Sequence, residues 1–197
     1  MAKPELQEGI ESALLAAAQD PDEEVRRAVA LALEAWDTRR RVEELCQALD
    51  DPAKGVQVRA VYALGEVRDP RATDGLIQVL RSGTADMRGI AIRLLGQRQD
   101  PRAMGPLMEA LDDPNVDVRV LAVEALSGFQ DGRLTEVFLA MLPGAEEELK
   151  IKLLEVLAPL GDPRCIPAVL PLLQDPSPAI RRLAAEALGQ AELPAPE

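Results

Sequence analysis

The chain reads as an all-α protein, a right-handed α-solenoid of six helix pairs. Three observations predict this. Leucine recurs at Leu33, Leu64, Leu95, Leu126, Leu157 and Leu188, in steps of 31 residues. Turn signals recur with the same step: Asp20, Asp51, Ser82, Asp113, Gly144 and Asp175 in one series, and Asp69-Pro70-Arg71, Asp100-Pro101-Arg102, Asp131-Gly132-Arg133 and Asp162-Pro163-Arg164 in another. Hydrophobic residues make up 47% of the chain and aromatics only 2%, so the core must be Leu, Val, Ile and Ala, which suits closely packed helices. A 31-residue unit is too short to bury a core of its own, so neighbouring units must stack. The units fall at about 5–36, 37–67, 68–98, 99–129, 130–160 and 161–190 of one domain spanning 1–190, followed by a tail at 191–197.

The first helix runs over about 5–18. Ile10, Leu14, Leu15 and Ala18 share one face, and Glu5, Glu8, Ser12 and Gln19 the other, as suits a capping element with nothing before it. Asp20-Pro21 then ends one helix and opens the next, since Asp caps and Pro is tolerated in a first turn. The second helix covers about 22–35, with Val25, Val29, Ala32 and Leu33 inward. Trp36 heads the mainly apolar column Val67, Arg98, Phe129 and Leu160, and reads as packing between units rather than as a binding aromatic. Arg39, Arg40 and Arg41 fan around one helical turn and form no patch.

A helix to Leu49, the turn Asp51-Pro52 and a helix to about Glu66 complete the second unit. Small residues (Gly65, Gly96, Ser127–Gly128, Ala158, Gly161) precede each Asp-Pro-Arg and ease the chain out of a helix. Each unit is thus an A helix after Asp-Pro-Arg and a B helix ending near the recurrent Leu, each of about ten to thirteen residues. The column Val29, Ala60, Ala91, Ala122, Leu153 and Ala184 is mainly small, which lets helices approach closely. The column Val25, Val56, Met87, Val118, Leu149 and Ile180 is apolar throughout. The tail, with Pro194 and Pro196, is expected to fray. The last B helix carries Ile180, Leu183, Ala184 and Leu188 with no following unit, which points to weak self-association through that end.

A formal net charge of −12 repels phosphate backbones and favours basic partner surfaces, unless it is simply a solvated helical exterior. Cys46 and Cys165 lie four units apart, on the order of 30–40 Å at helix-packing distances, whereas a disulfide needs Cα atoms within ~7 Å. Cys46 shares its column with Ile77, Met108, Leu139 and Leu170 and reads as a small core residue in a reducing cytoplasm. No apolar run is long enough to span a membrane, and the N-terminus lacks the apolar stretch of a signal peptide. The chain has no His. That removes the usual general base and commonest metal ligand. Walker A loops, Cys-x-x-Cys pairs and strand-borne glycine fingerprints are also missing, so no catalytic residue, metal or cofactor is expected.

The unit Asp100-Pro101-Arg102-Ala103 through Leu107, Leu111, Asp113, Val118, Arg119, Ala122, Ala125 and Leu126 resembles HEAT repeats of the short bacterial and archaeal type named after the phycobilisome lyases. The resemblance covers about 5–190 and implies a ladder in which the Asp before each B helix bonds the Arg within it. That pattern is complete at Asp20/Arg26, Asp113/Arg119 and Asp175/Arg181 and broken at Asp51/Gln57, Ser82/Arg88 and Gly144/Lys150. In the fifth unit Gly144-Ala145-Glu146-Glu147-Glu148 replaces the Asp-Pro turn, either as drift with acids at a helix N-terminus or as an acidic contact site. The resemblance also implies that B helices line a concave face. Its outward positions make Arg27, Val58, Arg59, Tyr62, Ile90, Arg93, Asp117, Val120, Leu121 and Glu124 the candidate partner-binding residues, with Tyr62 as best anchor. Glu23/Glu24 and Glu147/Glu148 make its ends acidic. The expected function is a non-catalytic scaffold for protein–protein interaction, gripping a basic or amphipathic segment. The alternative that the resemblance offers is a subunit of a bilin lyase. The missing His excludes the HEAT-like deoxyhypusine hydroxylases, and the acidic charge disfavours the HEAT-like DNA glycosylases.

Overall fold

The computed structural model describes residues 3–17, 20–22, 25, 28, 29, 32, 41–129 and 131–191. The chain divides into two compact units, Met1–Gly75 and Leu76–Glu197. The first holds α1 (Lys3–Ala17), α2 (residues 41–48) and α3 (Lys54–Glu66). The helix α4 (Pro70–Ser82) carries the chain into the second. There follow α5 (Ala85–Arg98), α6 (Met104–Glu109), α7 (Val116–Ser127), α8 (Arg133–Met141), α9 (Glu147–Leu157), α10 (Ile166–Val169) and α11 (Pro178–Gln190). The described residues form helices and turns alone, in the expected A–B order.

In the first unit Val42, Leu49, Ala60, Val61, Leu64 and Val67 are buried. Gly75 lies where a Cβ would sit 3.1 Å from both Cys46 Sγ and a Leu64 methyl, so the chain passes tightly there. Two expected core positions are not core: Val25 is 39% exposed and Val56 40%, although Met87, Val118, Leu149 and Ile180 in the same column are buried. Ile10 is likewise exposed. Trp36, Leu33, Arg39 and Arg40 lie outside the described residues, as do Glu23 and Glu24.

In the second unit the B helices α5, α7, α9 and α11 pack on one another in succession. Ala91, Ala122, Leu153 and Ala184 are sealed along that seam, and Leu95, Leu126 and Leu157 fill it from the next turn. Leu188, in the last of the recurrent positions, is only half-buried. Gly96 is no helix terminator, as its position had suggested. It sits inside α5, where a Cβ would fall 2.8 Å from the Cβ of Ala125. The end of α5 is made instead by Gln99, in the left-handed region at φ 51°, and Gly161 does the same after α9 at φ 61°.

The A helices depart from the uniform length expected. In α6 only six residues are α-helical, between 3₁₀ turns at Pro101–Ala103 and Ala110–Asp112. In α10 only four are, between 3₁₀ turns at Pro163–Cys165 and Leu170–Gln174. Prolines explain this. Pro106, Pro167 and Pro171 remove backbone donors and crowd the preceding turn, so i→i+3 bonds replace i→i+4 bonds around them. The outward column of these helices is also less buried than expected. Met108 and Leu170 are exposed and Cys46 is half-buried, while Cys165 is buried in another column. Both cysteines are free thiols, and burial pushes each up from its ordinary pKa.

Candidate binding face and its supporting ladder

Before α7 the chain turns through Asp113, Pro114 and Asn115. The Asn115 side chain accepts from the Val118 N–H at 3.2 Å and caps the helix. The Asp113 carboxylate accepts from the Asn115 N–H at 2.9 Å. Its two oxygens also receive the Arg88 guanidinium, from Nε and Nη2, each at 2.7 Å. Arg88 Nη1 donates at 2.9 Å to the carbonyl of Gly83 in its own turn. Arg119 repeats the geometry: Nη1 donates to the Asp113 carbonyl and Nη2 to Glu146. Lys150 Nζ donates to Asp175 at 3.1 Å, and Arg181 Nη1 to the carbonyls of Asp175 and Pro176. In the first unit Gln57 keeps only the carbonyl half, donating to Asp51 at 2.8 Å.

The ladder is therefore offset from the one expected. Arg88 and Arg119 each take a carbonyl of their own turn and a carboxylate of the next repeat, Lys150 reaches the carboxylate of the next repeat, and Arg181 takes carbonyls of its own turn. Arg119 does not bond the Asp113 carboxylate, which belongs to Arg88. At the Ser82/Arg88 position, which looked broken, Arg88 bonds the carbonyl of neighbouring Gly83 in place of Ser82. Gly144 removes the usual carboxylate, and Glu146 supplies one from two residues further on. Arg26 lies outside the described residues, so the Asp20/Arg26 pair does too.

The charges respond. Burial alone would raise the Asp113 carboxyl, but the Arg88 guanidinium and the Asn115 N–H outweigh it and hold it below the ordinary Asp range. Asp175 is lowered by the Ser177 N–H and by Lys150, and Glu146 by its own backbone N–H and Arg119.

A second set of ion pairs was not foreseen. In the four described Asp-x-Arg turns the Asp accepts both the backbone N–H and the guanidinium of the Arg two residues on. The Nη2–Oδ2 distance is 2.6 Å at Asp69/Arg71, Asp100/Arg102, Asp131/Arg133 and Asp162/Arg164. The recurring Arg was visible in the sequence, but only its Asp had been given a capping role. Arg133 holds the Asp131 carboxyl down at about 2.

The ladder fixes the B helices, and their outward residues form the candidate face. In the first unit Tyr62 is 51% exposed, with Arg59 exposed and Val58 half-buried. Arg27 lies outside the described residues. In the second unit Arg93, Asp117 and Glu124 are exposed, and Ile90, Val120 and Leu121 are half-buried. Arg93, Leu121 and Glu124 come together around a hollow of about 300 Å³ between α5 and α7, which Gly96, Gln99 and Gly128 also line. Gly89 makes room for Leu121: a Cβ there would stand 3.0 Å from the leucine methyl. The glycines and Gln99 carried no outward sign of this role, since helical spacing alone does not show where two backbones approach. Among the described residues no group of three or more His, Cys, Asp or Glu is placed to hold a metal ion. None of the described helices is long and apolar enough to cross a membrane.

The family model for HEAT repeats matches residues 11–89, 73–143 and 135–196. The chain belongs to the HEAT-repeat family. Its HEAT repeats give an all-α solenoid architecture like that of several solved structures. One is the complex of CpcE and CpcF of phycocyanin lyase from Nostoc sp. PCC7120, at 24% identity and TM-score 0.61, covering 76% of this chain and 64% of that one. The HEAT repeats here thus span less than two thirds of that relative. Another is an archaeal HEAT-like repeat protein from Thermococcus onnurineus NA1, at 21% identity and TM-score 0.52, covering 100% of this chain and 83% of that one. A third is a designed armadillo repeat protein in complex with the peptide (KR)4, at 16% identity and TM-score 0.58, covering 91% of this chain and 98% of that one. No curated protein sequence matches.

Proposed function

We propose that this HEAT-repeat chain is a non-catalytic scaffold that binds a basic, partly apolar segment of another protein along its B-helix face. The observation that carries the reading is the hollow between α5 and α7, with half-buried Leu121 at its floor and the charged Arg93 and Glu124 at its rim. That is the anatomy of an anchor site: an apolar centre enclosed by solvated charge. Glu155 and Glu186 continue the column of Glu124 on the following B helices, and both are exposed. An acidic row beside apolar anchors selects Lys and Arg on the segment it holds. The related fold that holds (KR)4 supports the same choice. On the B-helix face of the first unit, exposed Tyr62 is the anchor. The two free thiols fit a reducing cytoplasm.

Peptide display against the purified protein tests this. Segments that alternate Lys or Arg with bulky apolar residues should be enriched. Tyr62→Asp with Leu121→Asp should abolish their binding while far-UV circular dichroism stays unchanged. Enrichment of acidic segments, or binding that survives both changes, would sink the proposal. The likeness to a phycocyanin lyase complex keeps a second reading in view, a bilin lyase-like subunit. It predicts an absorbance shift when a linear tetrapyrrole is added, and an unshifted spectrum rejects it.

A further inference from the structure

Another hollow of the second unit shares Glu155 with the acidic row of the binding face proposed above but has apolar walls of its own. It is a cleft of about 480 Å³ bounded by the C-terminal end of α7, by α8 and by α9. Its volume is that of a small-molecule site, for which ~300–1,000 Å³ is typical. Both phenylalanines of the chain, Phe129 and Phe138, line it, with Leu134 and Val156 beside them. In a protein with 2% aromatics, that convergence marks this unit off from the others.

The sequence shows why the cleft opens here. In the Asp-x-Arg turns of the third, fourth and sixth units proline (Pro70, Pro101, Pro163) stands where this unit has Gly132, and a Cβ at Gly132 would meet nothing within 4 Å. The missing pyrrolidine ring leaves the mouth clear. Leu134 stands where those units have Ala72, Ala103 and Cys165, so a larger side chain occupies the place where α8 would otherwise draw close.

The polar groups on the wall have one sign. Asp131 and Glu155 line the cleft, and no Lys or Arg does. Asp131 is already clasped by its own Arg133, through both carboxylate oxygens. Glu155 pairs with the Lys152 ammonium, Nζ to Oε2, at 2.8 Å. Thr135 is one of two buried polar residues among those described, and it lines the cleft. Acidic groups and a hydroxyl on the wall of an otherwise apolar cleft favour a cationic donor carried on an apolar body.

We infer that this cleft binds a small hydrophobic amine, its ammonium held by Glu155 and Thr135 and its apolar body lodged against Phe129 and Phe138. A carboxylate on the same body is repelled, and an alcohol has only the apolar contacts and one hydrogen bond.

The test uses 4-phenylbutylamine, 4-phenylbutan-1-ol and 4-phenylbutyrate, three probes of one body and different charge, titrated into the whole chain by calorimetry. The amine should bind saturably and at least tenfold more tightly than the carboxylate. Glu155→Gln should remove that preference and leave the alcohol unchanged. Val156→Phe should weaken the amine and the alcohol more than tenfold by filling the cleft. Gly132→Pro should also weaken the amine by narrowing the mouth; with φ already at −60°, that position accepts proline without strain, so the protein stays folded. The inference fails if none of the three probes saturates, if the carboxylate equals the amine, or if amine binding is untouched in both cleft variants. Because Glu155 also continues the acidic row, Val156→Phe and Gly132→Pro are the variants that separate this site from peptide binding on the B-helix face.

Discussion

Arg88 makes three hydrogen bonds that tie its own turn to the next, and its partner Asp113 has a side chain only 9% exposed. Removing the guanidinium leaves the Gly83 carbonyl and a largely buried carboxylate short of donors. Charge-assisted bonds of this kind are the strong ones, so Arg88→Ala should cost about 1–3 kcal/mol in urea unfolding. A double-mutant cycle with Asp113→Asn should show coupling, whereas simple additivity would mean the pair is decorative. Asp113 also sets a pH dependence. Its folded pKa lies below the ordinary value, so the stability it contributes is fully present above about pH 4 and is lost as pH falls through the folded pKa. The midpoint of chemical unfolding should therefore drop on acidification below pH 4, and less steeply in Asp113→Asn.

Helix packing turns on a few glycines whose roles are opposite. Gly96 lets α5 and α7 touch, with the Ala125 backbone 3.0 Å from where a Cβ would stand. Gly96→Ala gains helix propensity but must push two backbones apart, so the net effect should be a loss of about 1–3 kcal/mol. Gly55, exposed in the first turn of α3, faces open space, and Gly55→Ala should stabilise by about 0.4–1 kcal/mol. Thermal melts of the two variants should move in opposite directions. Movement in the same direction would mean that propensity, not close approach, governs both. The broken A helices fit this picture. Tight B-helix seams carry the core, and proline-rich A segments such as Leu170–Gln174 cover it from outside.

Net charge acts on everything the chain meets. At −12, with Glu124, Glu155 and Glu186 in one exposed row, it should attract a basic segment from a distance and lose that attraction as salt rises. Association rates with a (KR)4-type peptide should fall steeply with ionic strength while dissociation rates change little. A binding rate indifferent to salt would remove electrostatics from the proposed function. The same charge disfavours nucleic acid, whose phosphates it repels.

The period of 31, the six-copy leucine and the small-residue column were enough to specify helix pairs and a HEAT-like architecture. They suffice because burial demands apolar residues at helical spacing, and stacking demands that the demand repeat. The Asp and Arg positions of the ladder were legible for the same reason. Their pairing was not. A carboxylate of one repeat bonds the cation of the repeat before it, and only packing brings residues twenty-five apart within 2.7 Å. Other features were likewise decided by packing: that Glu146 stands in at a turn lacking Asp, that Gln99 rather than Gly96 ends α5, and that Val25 and Val56 face solvent. In the candidate face the spacing named Arg93, Leu121 and Glu124, while the hollow that joins them depends on α5 meeting the Ala125 backbone at Gly96 and on the Gln99 side chain packing against Gly128. Periodicity records which side of a helix faces its neighbours. How closely those neighbours approach, and so where space is left for another molecule, is settled only when the side chains meet.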